Sequence, residues 1–153
     1  RLMYVMDNQD VGIIEFNPGD WKLPGHVLPV IGRDVILQPG YPLGWCGFPN
    51  IVDRHNCFFA GHVSTPVAGS EGDYLVDGVV IHGVSGSPAF AVMDGKVVLV
   101  GLVSAYYPNR ATGEALPGIG LVQSIQPIVD LFVSANKRAK KESTRGKARS
   151  KKR

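Results

Sequence analysis

The hydrophobic residues of the chain occur in short runs, and glycine, proline, aspartate and asparagine separate one run from the next. Each run is rich in β-branched or aromatic residues and has the length of a strand. Nineteen glycines and eleven prolines favour tight turns over long helices. The pattern predicts an all-β fold, a barrel or a sandwich, with strands over Val11–Phe16, Asp34–Gln38, Cys57–Ser64, Asp73–Ile81, Ala89–Met93 and Lys96–Ser104.

Two segments carry sharper local signals. Asp94-Gly95 separates two apolar runs and predicts a hairpin with a type I′ turn, because both residues tolerate positive φ. A helix is predicted from Ser124 to about Asn136, where Pro127 fits only the first turn. The apolar residues of this segment have the spacing of one helix face: Ile125, Ile128, Val129, Leu131 and Phe132.

The charges divide the chain into a body, residues 1–136, and a basic tail, residues 137–153. The tail holds ten of the sixteen Lys and Arg residues and one acid, whereas the body has six basic and twelve acidic residues, a net charge of −6. The body therefore offers no basic face to nucleic acid. The tail has no large apolar residue and predicts a disordered end. Such a tail can bind nucleic acid through counterion release, but more often it only keeps a chain soluble.

The cysteines and the longest apolar runs add two expectations, one about the thiols and one about membrane segments. Cys46 and Cys57 can form one bridge or remain free and buried, and the second interpretation is favoured. No apolar run approaches the ~18 residues that cross a bilayer, so the sequence predicts no membrane segment. It indicates no metal site, no cofactor and no compartment.

The stretch Gly83–Pro88 (Gly-Val-Ser-Gly-Ser-Pro) has the pattern of a nucleophilic serine on a tight turn. Acyl transfer needs an accessible hydroxyl beside backbone N–H groups that hold the oxyanion of the tetrahedral intermediate. Glycines on both sides of Ser85 permit that turn, with the N–H groups of Gly83 and Ser85 as the oxyanion donors. An ordinary turn is the alternative, which the motif alone does not exclude.

Asp10 stands immediately before the apolar run Val11–Phe16. A carboxylate at the mouth of a buried strand can accept a hydrogen bond from an imidazole and fix its tautomer. On its own, an acid in this place is more typical of a turn or a cap. The catalytic interpretation depends on its combination with Ser85, seventy-five residues later.

In this order and spacing, the two elements resemble the trypsin-like serine peptidases of the chymotrypsin fold, and the HtrA-type bacterial branch more than the disulfide-rich digestive enzymes. Ser87 stands where many members have a second glycine. The resemblance covers residues 2–133, and four further stretches are similar to an inter-barrel turn, two strands of the second barrel and the closing strand: Gly40–Gly44, Phe59–Ser64, Val100–Ala105 and Gly118–Val122.

The resemblance implies a chymotrypsin-like double β-barrel, of which this chain holds the second barrel, the last part of the first and one C-terminal helix. Residues 1–136 are then the C-terminal portion of a peptidase domain. It implies serine endopeptidase activity on polypeptides, with Ser85 as nucleophile and Asp10 orienting a histidine. It also implies that Val79 forms an apolar floor of the primary specificity pocket, and that four residues of one strand line the bound substrate: Val103, Ser104, Ala105 and Tyr106.

The expected histidine is missing from the sequence. In this family it precedes the aspartate, whereas all four histidines follow Asp10. His82 is so close to Ser85 that its ring should flank the turn rather than reach over the hydroxyl. The other three are expected in loops or on a strand: His26, His55 and His62.

We expect the histidine, with most of the first barrel, to lie upstream of this sequence. The run Val11–Phe16 would then lack its sheet partners. The alternative function is a peptidase-like domain without catalysis, which binds extended peptides by strand addition along Val103–Tyr106.

Overall fold

The computed structural model describes residues 2–6, 11–23, 25, 27–51, 55–70, 72–108, 111–113, 115–135 and 137 of the chain. These residues form eight strands and a C-terminal helix, so the expectation of a mainly β fold with one helix is confirmed. Helix α1 spans residues 126–135. The strands are β1 Leu2–Met6, β2 Val11–Glu15, β3 Pro42–Gly47, β4 Cys57–Pro66, β5 Tyr74–Asp77, β6 Pro88–Met93, β7 Lys96–Pro108 and β8 Ala115–Ser124.

Six strands close into a barrel in the order β3-β4-β5-β8-β7-β6, and every neighbouring pair is antiparallel. β6 returns to β3 through the pairs Gly44↔Phe90 and Trp45↔Ala89, which complete the ring. Beside this barrel, the described residues contain a separate two-stranded sheet of β1 and β2. A six-stranded barrel is therefore present, as the sequence led us to expect.

Alternate residues of the barrel strands fill its interior, because successive side chains of a strand point to opposite faces. In β3 the buried positions are Leu43, Trp45 and Gly47, and the residues between them are more exposed. Apart from Tyr74 of β5, the other five strands contribute mostly small side chains, which suit the narrow interior of a six-stranded barrel: Val63, Val76, Ala89, Ala91, Val100, Val103 and Val122.

The fully buried Trp45 ring fixes the path of the chain after β5. Its Nε1–H donates to the Val79 carbonyl at 3.1 Å. Gly78, with φ 148°, lies where a Cβ would come within 2.5 Å of the ring. The chain therefore leaves the sheet at Asp77. The sequence predicts a strand that continues to Ile81, so β5 ends four residues earlier than predicted.

The local sequence signals are otherwise largely confirmed. The Asp94-Gly95 hairpin joins β6 to β7, and its φ values of 50° and 72° match a type I′ turn. The predicted runs at Val11, Cys57 and Ala89 correspond to β2, β4 and β6, each with a shift of at most two residues at an end.

The prediction of a strand over Asp34–Gln38 is wrong. The Val35 N–H closes a turn on the Gly32 carbonyl at 3.0 Å, and the Leu37 N–H donates to the Tyr74 hydroxyl at 3.2 Å. A turn and a side chain thus satisfy amides that a strand would pair with a neighbour. The segment keeps its apolar character because Leu37 is buried in the core.

The expectation that Val11–Phe16 lacks sheet partners is also wrong. β1 pairs with β2 over five residues, from Leu2↔Glu15 to Met6↔Val11. The first apolar residues of the chain therefore supply the partner strand.

α1 packs on the barrel through the start of its predicted apolar face. Ile125 is buried just before the helix, and Ile128 and Val129 are partly buried against the core. Phe132 is 54% exposed and lines a cavity of about 550 Å³ together with residues of β2. The predicted helix is thus confirmed, but its last turn does not reach the barrel core.

Cys46 and Cys57 are free thiols, and both are half-buried. In the register of β3 and β4, Cys46 lies opposite Phe58, and Cys57 lies opposite Gly47. Directly opposed residues share a face and successive residues alternate, so the two thiols point to opposite faces of the sheet. The interpretation as free cysteines is confirmed, although neither is fully buried.

The predicted tail lies outside the described residues except for Lys137, which is helical. Among the helical residues that the structure describes, no segment has the length and apolar character needed to cross a membrane.

Candidate active site

Ser85 lies on a double turn between β5 and β6. The Val84 N–H donates to the Ile81 carbonyl at 3.1 Å, and the Ser87 N–H donates to the Val84 carbonyl at 3.1 Å. Two consecutive β-turns therefore share Val84. Pro88 follows at once as the first residue of β6, one residue before the predicted start of this strand.

Glycine stands at the third position of each turn. Gly83 has φ 91° and Gly86 has φ 82°, which are the values that a type II turn requires there. Other residues adopt this conformation only with strain. The two glycines that flank Ser85 in the sequence are thus the residues that allow its chain to turn twice.

Buried residues anchor the double turn, while Ser85 itself is exposed. Val84 is fully buried, and Ser87 is buried beneath Gly47 of β3. A Cβ at Gly47 would lie 3.1 Å from the Val84 Cα, so the strand packs directly on the turn. Within the described part of the chain, the Ser85 hydroxyl accepts and donates no hydrogen bond. The turn therefore presents a hydroxyl group that is hydrogen-bonded to no described neighbour.

The backbone N–H groups of residues 83–87 fall into two sets. Those of Val84, Gly86 and Ser87 donate to carbonyl groups of the protein. Those of Gly83 and Ser85 donate to no carbonyl among the described residues, since a β-turn uses only the N–H of its fourth residue. The unused pair consists of the two N–H groups that the sequence nominates as oxyanion donors.

The residues Gly47–Asn50, here called the strap, run across one side of the double turn. The Phe48 N–H donates to the Gly83 carbonyl at 3.3 Å, and the Asn50 N–H donates to the His82 carbonyl at 3.0 Å. In a trans peptide the C=O and the N–H point in opposite directions. Because the strap holds the His82 carbonyl, the Gly83 N–H points away from the strap.

β7 runs along the other side of the double turn. The Gly86 N–H donates to the Val103 carbonyl at 2.6 Å, and the Val103 N–H donates to the Ser87 carbonyl at 2.8 Å. Val103 itself is fully buried. Val103, one of the four residues expected to line the substrate, thus has its side chain in the core and its backbone N–H and C=O bonded to the turn.

The next residues of β7 extend beyond its pairing with β6. That pairing ends at Pro88↔Leu102, whereas β7 continues to Pro108 beside β8. Ser104 is half-buried at a bulge, and the backbone of Ala105 and Tyr106 pairs with β8. Among the described strands, none pairs with the opposite edge of this part of β7. This part of β7, here called the open edge, is therefore unpaired by the described strands, although Ser104 itself has a further interaction.

Val79 lies on the segment that leads from β5 to the double turn. Its side chain is 46% exposed, and its carbonyl accepts the Trp45 indole hydrogen bond. The neighbouring Val80 is buried against Gly120 of β8, where a Cβ would collide with it. Val79 is thus apolar and partly accessible, and its role as the floor of a specificity pocket stays a prediction.

One of the histidines is placed far from the double turn. His62 pairs with Pro42, and its Nδ1 lies 3.4 Å from Asp77 Oδ1 at the exposed surface. The turn packs on Gly47, five residues further along β3, which corresponds to about 17 Å at the usual rise of a strand. The His62 ring therefore cannot act on Ser85 in this arrangement.

The other candidate residues are two exposed histidines and two residues outside the described part of the chain. His82 is an exposed residue of the first turn, as expected, and His55 is exposed just before β4. Asp10 and His26 lie outside the described residues, although Val11, which follows Asp10, is buried. Among the described side chains, no group of three or more His, Cys, Asp or Glu residues is arranged to hold a metal ion.

Sequence reasoning missed the strap. Phe48-Pro49-Asn50 has the composition of an ordinary loop, and nothing in it indicates contact with residues more than thirty positions later. The one usable signal is Gly47, because a glycine inside an apolar strand often marks a close approach of backbone.

No protein-family model and no curated protein matches the chain. The site is therefore defined by its own geometry: an exposed serine on a double turn, two backbone N–H groups that donate to no described residue, and an open strand edge beside them.

Proposed function

We propose that this chain is the nucleophile-bearing part of a trypsin-like serine endopeptidase of the double-barrel fold. One observation carries the proposal. The exposed Ser85 lies on a turn in which the Gly83 and Ser85 N–H groups donate to no described carbonyl. Acyl transfer needs an accessible hydroxyl beside available N–H donors, and this turn presents both.

In the proposed reaction, Ser85 Oγ attacks the carbonyl carbon of a peptide bond and loses its proton to a histidine. The Gly83 and Ser85 N–H groups hold the negative oxygen of the tetrahedral intermediate. The histidine then gives the proton to the leaving amine, and an ester on Ser85 remains. Water, deprotonated by the same histidine, hydrolyses the ester and releases the acid.

The histidine is the part of the proposal that the 153 residues do not supply. We assign it to a segment encoded ahead of Asp10, and we assign Asp10 the role of accepting its Nδ1 hydrogen bond. A serine hydroxyl is a weak nucleophile at neutral pH, so Ser85 depends on this base.

The open edge of β7 is the proposed binding strand for substrate. A peptide that adds there forms backbone hydrogen bonds with Ala105 and Tyr106 and reaches Ser85 at the end of the edge. Val79 contributes an apolar surface for the side chain before the cut bond, which favours apolar residues over Lys or Arg.

The direct test compares Ser85→Ala with Ser64→Ala in the protein that includes the proposed histidine segment. Ser64 is an exposed serine of β4 and serves as the matched control. Loss of a triad nucleophile removes on the order of 10³-fold or more in rate. The rate of casein hydrolysis should therefore fall by this factor in Ser85→Ala and stay unchanged in Ser64→Ala. Equal turnover in both would reject Ser85 as the nucleophile.

A second function rests on the same open edge. A domain without catalysis would bind extended peptides along β7 and would not need Ser85. Peptide binding that is unchanged in Ser85→Ala, with no hydrolysis by the parent protein, would favour this function.

A further inference from the structure

Exposed apolar side chains border the cavity of about 550 Å³ between β2, the segment that follows β2 and α1. Four of the lining residues are at least half exposed and are here called the apolar rim: Ile14, Phe16, Leu23 and Phe132. Single exposed apolar residues need no explanation, whereas several around one concave surface indicate a contact with an apolar partner. The cavity is therefore a candidate docking surface.

The segment after β2 extends the apolar rim with two further exposed side chains. Trp21 is 75% exposed and lies two residues before Leu23, and Lys22 between them is also exposed. Tryptophan concentrates at the boundary between lipid and water. A lysine beside it can bury its methylene groups while its charge stays in water. Both side chains thus suit the headgroup layer of a lipid bilayer.

The basic tail begins beside the same cavity. Ala135 lines the cavity, and Lys137 opens the tail two residues later, at most about 7 Å along the chain. The tail, residues 137–153, carries ten Lys and Arg residues and one acid. A polybasic segment is attracted to the negative surface of a bilayer that contains anionic lipids. The positive charge of the chain therefore follows directly on an apolar surface.

The combination of the two features points to lipid. A basic tail alone suits any polyanion, and nucleic acid bound to it would leave the apolar rim in contact with water. A shallow apolar contact alone gives weak and reversible membrane binding, to which a polybasic segment adds the second signal. An anionic bilayer engages the apolar rim and the tail together.

We propose that the apolar rim and the basic tail form a peripheral docking site for a bilayer that contains anionic phospholipids. The rim side chains and Trp21 enter the headgroup layer, and the tail binds the anionic headgroups. Glu15, the one charged residue of the described cavity lining, opposes this contact, and the ten basic residues of the tail outweigh it. The site does not depend on the role of Ser85.

The experiment mixes the 153-residue chain with vesicles of phosphatidylcholine, alone or in equal parts with phosphatidylserine, and measures co-sedimentation and tryptophan fluorescence. The chain has two tryptophans, and Trp45 is fully buried. A blue shift of the emission on adding vesicles therefore reports the entry of Trp21 into lipid. Binding and blue shift are expected with the mixed vesicles, and both should be lost with phosphatidylcholine alone and at high salt.

Variants test the two parts of the site separately. Phe132→Ser and Leu23→Ser should each weaken binding to the mixed vesicles about tenfold and reduce the blue shift, because each removes a large apolar side chain from the contact. Deleting residues 138–153 should remove the dependence on phosphatidylserine.

Phe58→Ser is the matched control. Phe58 is 69% exposed on β4 and is not among the residues that line the cavity. This variant should bind vesicles as the parent chain does, and the melting temperatures of all variants report whether they are folded.

The outcomes separate lipid docking from binding through the tail alone. Co-sedimentation without a blue shift, unchanged in Phe132→Ser and Leu23→Ser, would show that the tail alone holds the chain on vesicles and would overturn the docking site. Equal losses in Phe132→Ser and Phe58→Ser would also overturn it. Binding to a DNA duplex of random sequence, with no binding to vesicles, would assign the tail to nucleic acid and reject the lipid surface.

Discussion

Gly83 and Gly86 have nearly the same backbone conformation, with φ 91° and 82°, but different surroundings. A Cβ at Gly83 would collide with the Phe48 carbonyl oxygen and come within 2.8 Å of Asn50 Oδ1, whereas nothing lies within 4 Å of one at Gly86. Gly86→Ala should therefore cost only the left-handed backbone penalty, about 1–2 kcal/mol. Gly83→Ala should cost about 1–3 kcal/mol more through overpacking.

Urea unfolding of the two alanine variants measures this difference, and each serves as the control of the other. The free energy of unfolding should fall further for Gly83→Ala, in which Phe48 and Asn50 must move. Equal losses in the two variants would show that the strap does not pack on the turn.

At the scale of single residues, the sequence identifies those whose backbone conformation depends on their immediate neighbours in the chain. Ser85 and its two glycines are recognisable because a tight turn is a local property of consecutive residues. Phe48 and Val103 are not, since their contacts with the turn depend on which strands become neighbours. Asp10 stays a prediction, because it lies outside the described residues.

Elements with local signals are likewise the ones that the sequence predicts. The β6–β7 hairpin follows from Asp94-Gly95, and α1 follows from the helical spacing after Ser124. Like β1 and β8, β3 is not among the strands predicted from the apolar runs; it has glycines at 44 and 47, which sequence rules count against a strand. Both glycines are required by packing instead, Gly44 under the Phe58 ring and Gly47 over Val84.

The register of β3 and β4 gives a prediction about the thiols. Cys46 and Cys57 point to opposite faces, so they cannot form a bridge without breaking the barrel. Thiol titration in denaturant, without reductant, should find two free thiols per chain. Reductant should leave the melting temperature of the folded protein unchanged. Finding no free thiols in a monomer would contradict this register.

At the scale of the whole molecule, the number and short length of the runs predict a β fold, but the closure of the barrel is not a property of any run. β3 and β6 close the ring although more than forty residues separate Gly44 from its partner Phe90. Such pairing depends on the cooperative packing of a shared core. The closed barrel is confirmed, whereas the chymotrypsin-like double barrel stays a prediction.

The charge asymmetry of the molecule leads to a further prediction about the tail. Residues 138–153 carry nine of the sixteen basic residues and no large apolar side chain. Deleting them should change the stability of the body by less than about 0.5 kcal/mol, since no apolar surface is lost. The melting temperature of the shortened chain measures this. A large decrease would indicate that the basic tail binds the acidic body.

The central claim is that Ser85 is a nucleophile activated by a histidine outside these 153 residues. The most direct measurement is labelling with a fluorophosphonate, followed by mass spectrometry to locate the adduct. We compare the 153-residue chain with the protein extended on its N-terminal side to include the proposed histidine. The extended protein should be labelled on Ser85, and the short chain should react far more slowly, because its serine has no base to accept the proton. An adduct on another serine of the extended protein would contradict the assignment of Ser85 as the nucleophile. Labelling of Ser85 at equal rates in both proteins would contradict the account and would assign the base to a residue of this chain.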